Sequence, residues 1–307
     1  MDGEGSLALA RIKRKNRSLE YCIRVCVYNT NRRILSEIQD TWGGCLSADG
    51  QRRPSWKPSY ALVWTNAEAA AVLRQVAPHL RVKAEHAAAL LEFNEHIKAC
   101  PRLRDSAGHL LPLTERELVL RETFHDRLRR LNLKGRSVCL SPRTHPSPSG
   151  RHISATYLAG FIDAEGCLMI PKSTDTSGRS HYHARISVGN TDRSVLEEIQ
   201  AHFGGMMTNQ PPEKTGWRYA YQLIWSHGMV ESLLMAVMPD LFVKRRQATI
   251  MLQLVRHKKS TPQGRIGRRF ARHAPEVAAF RENLRRQMTE LNAKGPMAAP
   301  IKACPGS

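Results

Sequence analysis

The alternation of apolar and polar residues is clearest in the second half of the chain, where it predicts a helix followed by two strands. Residues 153–166 start with candidate Ser and Thr caps, run through apolar and small residues and end at Gly166, which predicts a short helix. Residues 167–173 are rich in apolar residues and residues 181–190 alternate apolar with polar positions. We therefore predict a pair of antiparallel strands.

The pattern continues with further helices and strands. From Thr191 to Gly204 the apolar residues recur at helical spacing, which places one apolar stripe on a helix. Residues 217–225 alternate aromatic with polar positions and predict a strand, and residues 230–238 predict a helix that a proline ends. Because another helix begins near Lys244, the predicted order of elements is αββαββα or close to it.

The same pattern occurs twice, because the sequence repeats itself. Residues 2–7 read DGEGSL and residues 163–168 read DAEGCL, 161 positions later. Residues 27–44 match residues 188–205 at the same offset of 161, without a gap. A duplication of this extent predicts two similar halves built from one set of elements.

The repeat also sets the expected domain boundaries. Residues 121–135 match residues 281–295 at an offset of 160, and a Pro- and Ser-rich stretch separates the halves. We therefore predict an α+β protein with two pseudo-symmetric αββαββα halves. The expected segments are a first repeat over residues 1–135, a linker over 136–152, a second repeat over 153–295 and a tail over 296–307.

The charge of the chain favours a polyanionic partner. Lys and Arg number 47 against 27 Asp and Glu, which gives a formal net charge of +20 that is spread along the whole sequence. Such an excess is typical of nucleic-acid binding, although a solvated basic surface has the same composition.

Other features of the composition bear on location. The first residues lack the pattern of a signal peptide, and no stretch has the length and apolar content of a membrane span. The seven cysteines include no CxxC pair, so we expect reduced thiols rather than disulfides or a zinc site. We expect a soluble intracellular protein, and a bacterial cytoplasm and an organelle both fit.

Residues 157–166 read YLAGFIDAEG and resemble the LAGLIDADG motif of homing endonucleases, with Glu165 at the second acidic position. The resemblance extends over both repeats. It implies that the two motif helices pack together and that each half presents a saddle of antiparallel strands to the DNA major groove. It also implies a monomer, formed by internal duplication, that cleaves double-stranded DNA at a specific site.

The residues of the motif support this function on physical grounds. Ala159 and Gly160 give a helix surface on which a second helix can approach closely. The acids at the helix end are unfavourable by roughly 0.3 to 1 kcal/mol each because of the helix dipole, and a bound cation offsets that cost. We therefore predict that Glu165 and its repeat equivalent Glu4 are catalytic and hold Mg²⁺ against the scissile phosphates.

Other polar residues recur in both repeats near the motif. For Asp2 and Asp163 we favour a structural role as hydrogen-bonding acids. The resemblance implies that Lys83 and Lys244 are catalytic residues that stabilise charge near the cleaved phosphate, although such lysines are commonly solvated. It also implies that two catalytic asparagines at strand ends position water, and a turn or cap role for them is an equal alternative. These asparagines are Asn29 and Asn190.

Several polar residues on or beside the predicted strands are candidates for DNA contact, because alternate side chains share one face and reach phosphates and base edges from it. These candidates are Arg24, Arg185, Lys57, Arg218, Tyr60 and Tyr221. By contrast, Trp64 and Trp225 lie among apolar residues, so we expect them in the core.

The first motif departs from the family pattern. Met1 aligns with Ile162, and the YLAGF that should precede it is not in the sequence. We expect that the true start lies upstream, and that loss of the first motif helix exposes an apolar, small-residue surface on the second.

Two functions of a different class use the same fold, an intron RNA maturase and a DNA-binding protein that does not cleave. Such proteins need the basic strands but not the acids. The presence of both glutamates and both lysines favours cleavage, and the shortened first motif favours decay of the enzyme.

Overall fold

The computed structural model describes residues 1–13, 19–50, 57–106, 108, 110–132, 152–176, 178–211, 219–261, 265–266, 269–270 and 274–293. The predicted linker and tail therefore lie almost wholly outside the described residues. The helices and strands of the first repeat are β1 (Gly5–Ile12), β2 (Glu20–Asn29), α1 (Arg32–Trp42), β3 (Cys45–Gly50), β4 (Ser59–Thr65), α2 (Asn66–Val76), a 3-10 turn (Ala77–His79), α3 (Ala84–Ala99) and α4 (Glu115–Asn132).

The second repeat has the same elements after a motif helix, but the hairpin that β1 and β2 form in the first repeat is divided there into four shorter strands, and a short hairpin replaces the isolated bridge between Arg104 and Leu110. They are α5 (Ala155–Glu165), β5 (Gly166–Met169), β6 (Lys172–Thr174), β7 (Ser180–Tyr182), β8 (Arg185–Asn190), α6 (Arg193–Phe203), β9 (Met206–Gln210), β10 (Ala220–Ser226), α7 (Met229–Val237), α8 (Arg245–Ser260), β11 (Arg265–Ile266), β12 (Arg269–Phe270) and α9 (Pro275–Asn292).

Each repeat forms one four-stranded antiparallel sheet, and the two sheets have the same topology. The strand orders are β1-β2-β4-β3 and β5-β8-β10-β9. The register is also equivalent, because Asn29 faces Tyr60 and Asn190 faces Tyr221. The predicted α+β class is confirmed. The predicted order is present in the second repeat, and the helix expected from about Lys244 is α8. Helix α9 follows in addition, and the strand expected over 181–190 divides into β7 and β8.

The helices cover one face of each sheet and enclose a separate hydrophobic core in each repeat. Trp64 and Trp225 lie in the centres of these cores, at 1% and 0% exposure, as predicted. The indole N–H of Trp64 donates to the carbonyl of Trp42 at 2.9 Å, and that of Trp225 donates to Phe203 at 3.0 Å. Each tryptophan therefore ties the end of a helix to its sheet in the same way.

The predicted helix caps of the second repeat are present. The Ser154 hydroxyl accepts a hydrogen bond from the Tyr157 N–H and begins α5, and the helix ends at Gly166. This glycine has an ordinary negative φ of −77°, so it is not needed for a left-handed turn. Space explains it instead, because a Cβ there would lie 2.4 Å from the carbonyl oxygen of Ile162. In the first repeat, a Cβ on Gly5 would lie at the same distance of 2.4 Å from the Met1 carbonyl oxygen.

The face of each sheet that points away from its core is called the open face, and it carries the strand residues that alternate with the core side chains. Along β2, Ile23 and Val25 are fully buried on the core side, so Arg24 between them points to the open face. Along β8, Ile186 is fully buried on the core side, so Arg185 points to the open face, where it is half-buried and its Nε atom is covered. None of the helices in the described ranges has the length and apolar content that a bilayer crossing requires.

Candidate active site

The two acidic motif ends meet at the junction between the repeats. A Cβ on Gly3 would lie 2.3 Å from the Cβ of Ala164 and 3.3 Å from the Oε1 atom of Glu165. The backbone of the first motif is therefore packed directly against the end of α5. This contact brings Glu4 and Glu165, both exposed, to the same place.

The two aspartates of the motifs are saturated by backbone donors. The Asp163 carboxylate accepts the N–H groups of Phe242, Val243 and Lys244 at 2.7, 3.0 and 2.8 Å. In the first repeat, Asp2 accepts the N–H groups of Arg81 and Lys83 at 2.7 and 3.0 Å. These donors precede the first turns of α8 and α3, where negative charge is favourable.

Lys83 and Lys244 also bind the motifs, with their side-chain ammonium groups as the donors and the motif backbone carbonyls as the acceptors. The Lys83 ammonium donates to the carbonyls of Met1, Asp2 and Gly3 at 3.0, 2.7 and 2.9 Å. The Lys244 ammonium donates to the carbonyls of Ile162 and Asp163 at 2.8 and 2.6 Å. Each lysine is thus joined to its motif twice. Its ammonium group donates to the motif carbonyls, and its backbone N–H donates to the motif aspartate.

The charges of the site act across the repeat boundary. Although the Glu4 residue is exposed overall, the protein around its carboxyl partly desolvates that group and raises its pKa, and the Glu165 charge raises it further, while the Asn29 hydrogen bond and the Lys244 charge oppose the rise. Burial lowers the pKa of Lys83, and the charges of Asp2 and Glu165 oppose that decrease. The two glutamates are therefore close enough to repel each other, and each has a lysine of the other repeat nearby.

The two asparagines differ in their contacts. The Asn29 amide donates to the Glu4 carboxylate at 2.9 Å, and its Oδ1 accepts the Asn31 N–H at 2.8 Å. Asn190 accepts the Asp192 N–H at 2.8 Å in the equivalent turn. The turn role that the sequence left open is thus present in both repeats, and Asn29 also contacts a motif acid.

Two contacts between the repeats were not predicted. The Tyr157 hydroxyl of α5 donates to Asp2 at 2.9 Å, and Arg81 lies 3.7 Å from the Glu198 carboxylate of α6. The polar hydroxyl of Tyr157 in an otherwise apolar and small helix was the available signal for the first contact. The sequence held no comparable signal for the second contact, because Arg81 does not recur in the second repeat, where Phe242 stands at the equivalent position.

A cleft of about 500 Å³ lies beside these contacts and is lined by both repeats. Gly160 of α5 faces it, and a Cβ on that residue would meet no heavy atom within 4 Å. Leu158 and Phe161 are instead buried in the core of the second repeat. The small-residue surface expected on α5 is therefore present at Gly160, and Phe161 beside it, although only 3% exposed, also lines the cleft, whereas Leu158 is fully covered.

The candidate DNA-contacting residues divide between the two faces of the sheets. Arg24 and Arg185 lie on the open faces. Lys57 lies just before β4 and is half-buried, whereas Arg218 lies outside the described residues. Both tyrosines lie on the opposite faces, where Tyr60 and Tyr221 pack against the hydrophobic cores.

A family of known proteins matches part of the second repeat. Residues 158–228 match the family described as LAGLIDADG endonuclease. No curated protein matches the chain.

Solved structures match nearly the whole chain. The LAGLIDADG homing endonuclease I-GzeII in complex with a DNA target gives a TM-score of 0.66 at 12% identity, covering 95% of this chain and 96% of that chain. I-SmaMI bound to an uncleaved DNA target with calcium ions gives 0.63 at 14% identity, with coverages of 94% and 96%. I-AabMI, a LAGLIDADG meganuclease bound to uncleaved DNA, gives 0.62 at 17% identity, with coverages of 93% and 95%. The chain therefore has the two-repeat LAGLIDADG fold over nearly its whole length, and its second repeat carries the match to the LAGLIDADG endonuclease family.

Proposed function

We propose that this chain is a site-specific endonuclease of the homing type that cleaves double-stranded DNA, with Glu4 and Glu165 as the ligands of a divalent metal ion. The observation that carries the proposal is the contrast within each motif. Asp2 and Asp163 are occupied by backbone donors. The two glutamates are exposed and lie together at the junction of the repeats.

The donor set at this junction fits a hard divalent cation such as Mg²⁺. Both candidate ligands are carboxylates, which Mg²⁺ prefers. Burial raises the pKa of the Glu4 carboxyl, and repulsion from Glu165 raises it further; a bound cation would relieve that repulsion. When bound, the ion would activate water and stabilise the charge on the leaving oxygen of a phosphodiester.

Lys83 and Lys244 support the acids by position and charge. Three carbonyls take the hydrogen bonds of the Lys83 ammonium, so this group fixes the motif end and does not reach out to a phosphate. Its positive charge still acts on Glu165, and that of Lys244 acts on Glu4. We assign both lysines to holding the two glutamates in place and to stabilising charge that develops near them.

The remaining polar residues have different roles. Asn29 holds the Glu4 carboxylate through the 2.9 Å hydrogen bond. Asn190 shapes the turn after β8. Arg24 and Arg185 occupy equivalent places on the open faces, where strand residues reach phosphates and base edges. Tyr60 and Tyr221 belong to the cores and are not part of the proposed DNA surface.

The test is cleavage of the DNA locus from which the reading frame comes, with that frame and its host element removed so that the flanks are rejoined. With Mg²⁺ present, the full chain should linearise a plasmid that carries this junction. Glu165→Gln should abolish cutting while DNA affinity stays within about threefold, because the carboxylate holds the ion and not the DNA. Loss of binding with cutting intact in this variant would overturn the assignment.

The alternatives, an intron RNA maturase and a non-cleaving DNA-binding protein, are separated by the same experiment. A non-cleaving binder would bind the junction without cutting in Mg²⁺. A maturase would promote splicing of the host RNA, and Glu165→Gln would leave that splicing unchanged. The paired glutamates favour cleavage, since neither alternative requires acids at the junction.

A further inference from the structure

Away from the candidate active site, helix α4 carries a group of metal-ligand side chains on one face. Glu122 lies about one helical turn before the adjacent residues His125 and Asp126. One ligand atom of each of these three residues lies within 4.8 Å of the other two. The Nδ1 atom of His125 is 3.8 Å from Glu122 Oε2 and 3.8 Å from Asp126 Oδ1. This separation is too long for a hydrogen bond. Among the described residues, this buried Nδ1 atom has no partner.

A second buried polar group is directed into the same place. Tyr21 of β2 is 8% exposed, and its hydroxyl has no hydrogen-bond partner in the described part of the chain. Its ring meets the His125 ring edge-on, with centroids 6.5 Å apart. Burial raises the pKa of the Tyr21 phenol, and the neighbouring Glu122 carboxylate raises it further. Buried polar groups without partners are rare, and an ordered water or ion commonly explains them.

The second repeat shows how the equivalent place is satisfied. There Glu282 accepts the Tyr182 hydroxyl at 2.6 Å, the Lys172 ammonium at 2.9 Å and the Arg285 Nε at 2.8 Å. The Tyr182 hydrogen bond and the two cations hold the pKa of the Glu282 carboxyl at about 2. Every polar group of this cluster is thus paired.

The first repeat keeps the frame of that cluster and changes its charge. An acid, a tyrosine and a basic residue are retained, but His125 and Asp126 replace two arginines. The cluster loses two positive charges and gains one negative charge. The equivalent pairs are Arg11 with Lys172, Tyr21 with Tyr182, Glu122 with Glu282, His125 with Arg285 and Asp126 with Arg286.

We propose that Glu122, His125 and Asp126 bind one transition-metal ion of the Zn²⁺ class, which takes the place of the Arg285 cation. An imidazole nitrogen with carboxylate oxygens is a donor set that Zn²⁺ accepts and that suits Mg²⁺ poorly. Arg11 binds Glu122 through Oε1 at 3.0 Å, which leaves Oε2 for the ion. All three ligands belong to α4, and the Tyr21 ring of β2 contacts the His125 ring, so the ion would lie where this helix faces the sheet.

The experiment is a calorimetric titration of the full chain with Zn²⁺ in the presence of excess Mg²⁺. The wild type should bind one more Zn²⁺ per chain than the double variant His125→Arg/Asp126→Arg, which installs the arginines of the second repeat. The extra ion should persist in the background Glu4→Gln/Glu165→Gln, because it is not bound at the candidate active site. Asp126→Asn, a milder change, should weaken Zn²⁺ affinity at least tenfold.

Equal Zn²⁺ stoichiometry and affinity in the wild type and the double variant would overturn the proposal. Loss of the extra ion in the Glu4→Gln/Glu165→Gln background would also overturn it, since the ion would then belong to the motif acids. Circular dichroism of both variants checks that they fold. If the double variant does not fold, the Asp126→Asn variant decides the question. Unchanged Zn²⁺ affinity in that variant would overturn the proposed metal site, and a tenfold loss of Zn²⁺ affinity would support it.

Discussion

Gly3 and Ala164 occupy equivalent positions of the repeat and pack against each other, so that a Cβ on Gly3 would lie 2.3 Å from the Cβ of Ala164. One member of the pair must therefore be glycine for the two motif ends to approach. The distance between Glu4 and Glu165 depends on this contact, because Glu4 directly follows Gly3 and Glu165 directly follows Ala164.

Gly3→Ala should separate the motif ends. Overpacking of this kind costs about 1–3 kcal/mol, and we expect a lower free energy of unfolding in urea together with loss of Mg²⁺-dependent cleavage. The exchanged pair Gly3→Ala/Ala164→Gly should recover part of both losses, because it restores one small residue at the contact. A double variant no better than Gly3→Ala alone would contradict this packing argument.

Asp163 and Glu165 should respond differently to loss of their charge. In Asp163→Asn, a neutral amide replaces the carboxylate that accepts three backbone N–H groups. Its oxygen is a weaker acceptor and its NH2 group is itself a donor, so we expect the free energy of unfolding to fall by about 2–4 kcal/mol. Glu165→Gln should leave stability within the scatter of ordinary surface substitutions and abolish cleavage. Urea denaturation of both variants measures the difference, and equal destabilisation would refute the division of roles.

Tyr157→Phe should weaken the contact between the repeats. The hydroxyl donates to the buried Asp2 carboxylate at 2.9 Å, and hydrogen bonds to charged groups contribute about 1.5–3 kcal/mol. We expect a loss of stability of that order and a slower cleavage rate at saturating DNA, because Asp2 positions the motif that carries Glu4. Thr156→Ala, a control on the same helix, removes an exposed hydrogen bond to Asp240 and should leave the rate unchanged.

The raised pKa of Glu4 has a direct consequence for metal binding. A carboxyl whose folded pKa is raised binds its proton more tightly in the folded chain, so it is ionised only at a higher pH than the ordinary value of 4.5. As pH falls from neutral, Mg²⁺-dependent cleavage should therefore decrease at a higher pH than an ordinary glutamate would give. Asn29→Ala removes the hydrogen bond that lowers the pKa of Glu4, so in this variant the decrease of cleavage should occur at a still higher pH. A shift to lower pH in that variant would contradict the assignment.

The sequence predicted the fold well because the repeat appears in it directly. The helical spacing between Thr191 and Gly204 predicted α6, and the apolar surroundings of Trp64 and Trp225 placed both in the cores. The helix predicted from about Lys244 is α8, but the predicted order of elements did not include the last helix of each repeat, which is α4 in the first and α9 in the second.

The candidate site could be predicted only in part. The motif acids followed from the resemblance to the LAGLIDADG motif and from the repeat, but the faces of the strands did not follow, because a shift of one residue exchanges every side chain between the faces. For that reason Tyr60 and Tyr221 were grouped with Arg24 and Arg185, although they pack against the cores. Contacts between the repeats, such as Tyr157 with Asp2, depend on how the halves dock and leave no regular pattern in the sequence.

The measurement that tests the central claim most directly is the location of bound Mn²⁺, as a substitute for Mg²⁺, by anomalous diffraction from crystals of the full chain with cognate DNA. We predict a peak that is about 2.2 Å from a carboxylate oxygen of Glu4 and of Glu165, and its absence from crystals of Glu4→Gln/Glu165→Gln. Mn²⁺ bound at the scissile phosphates without contact to either glutamate would contradict the account.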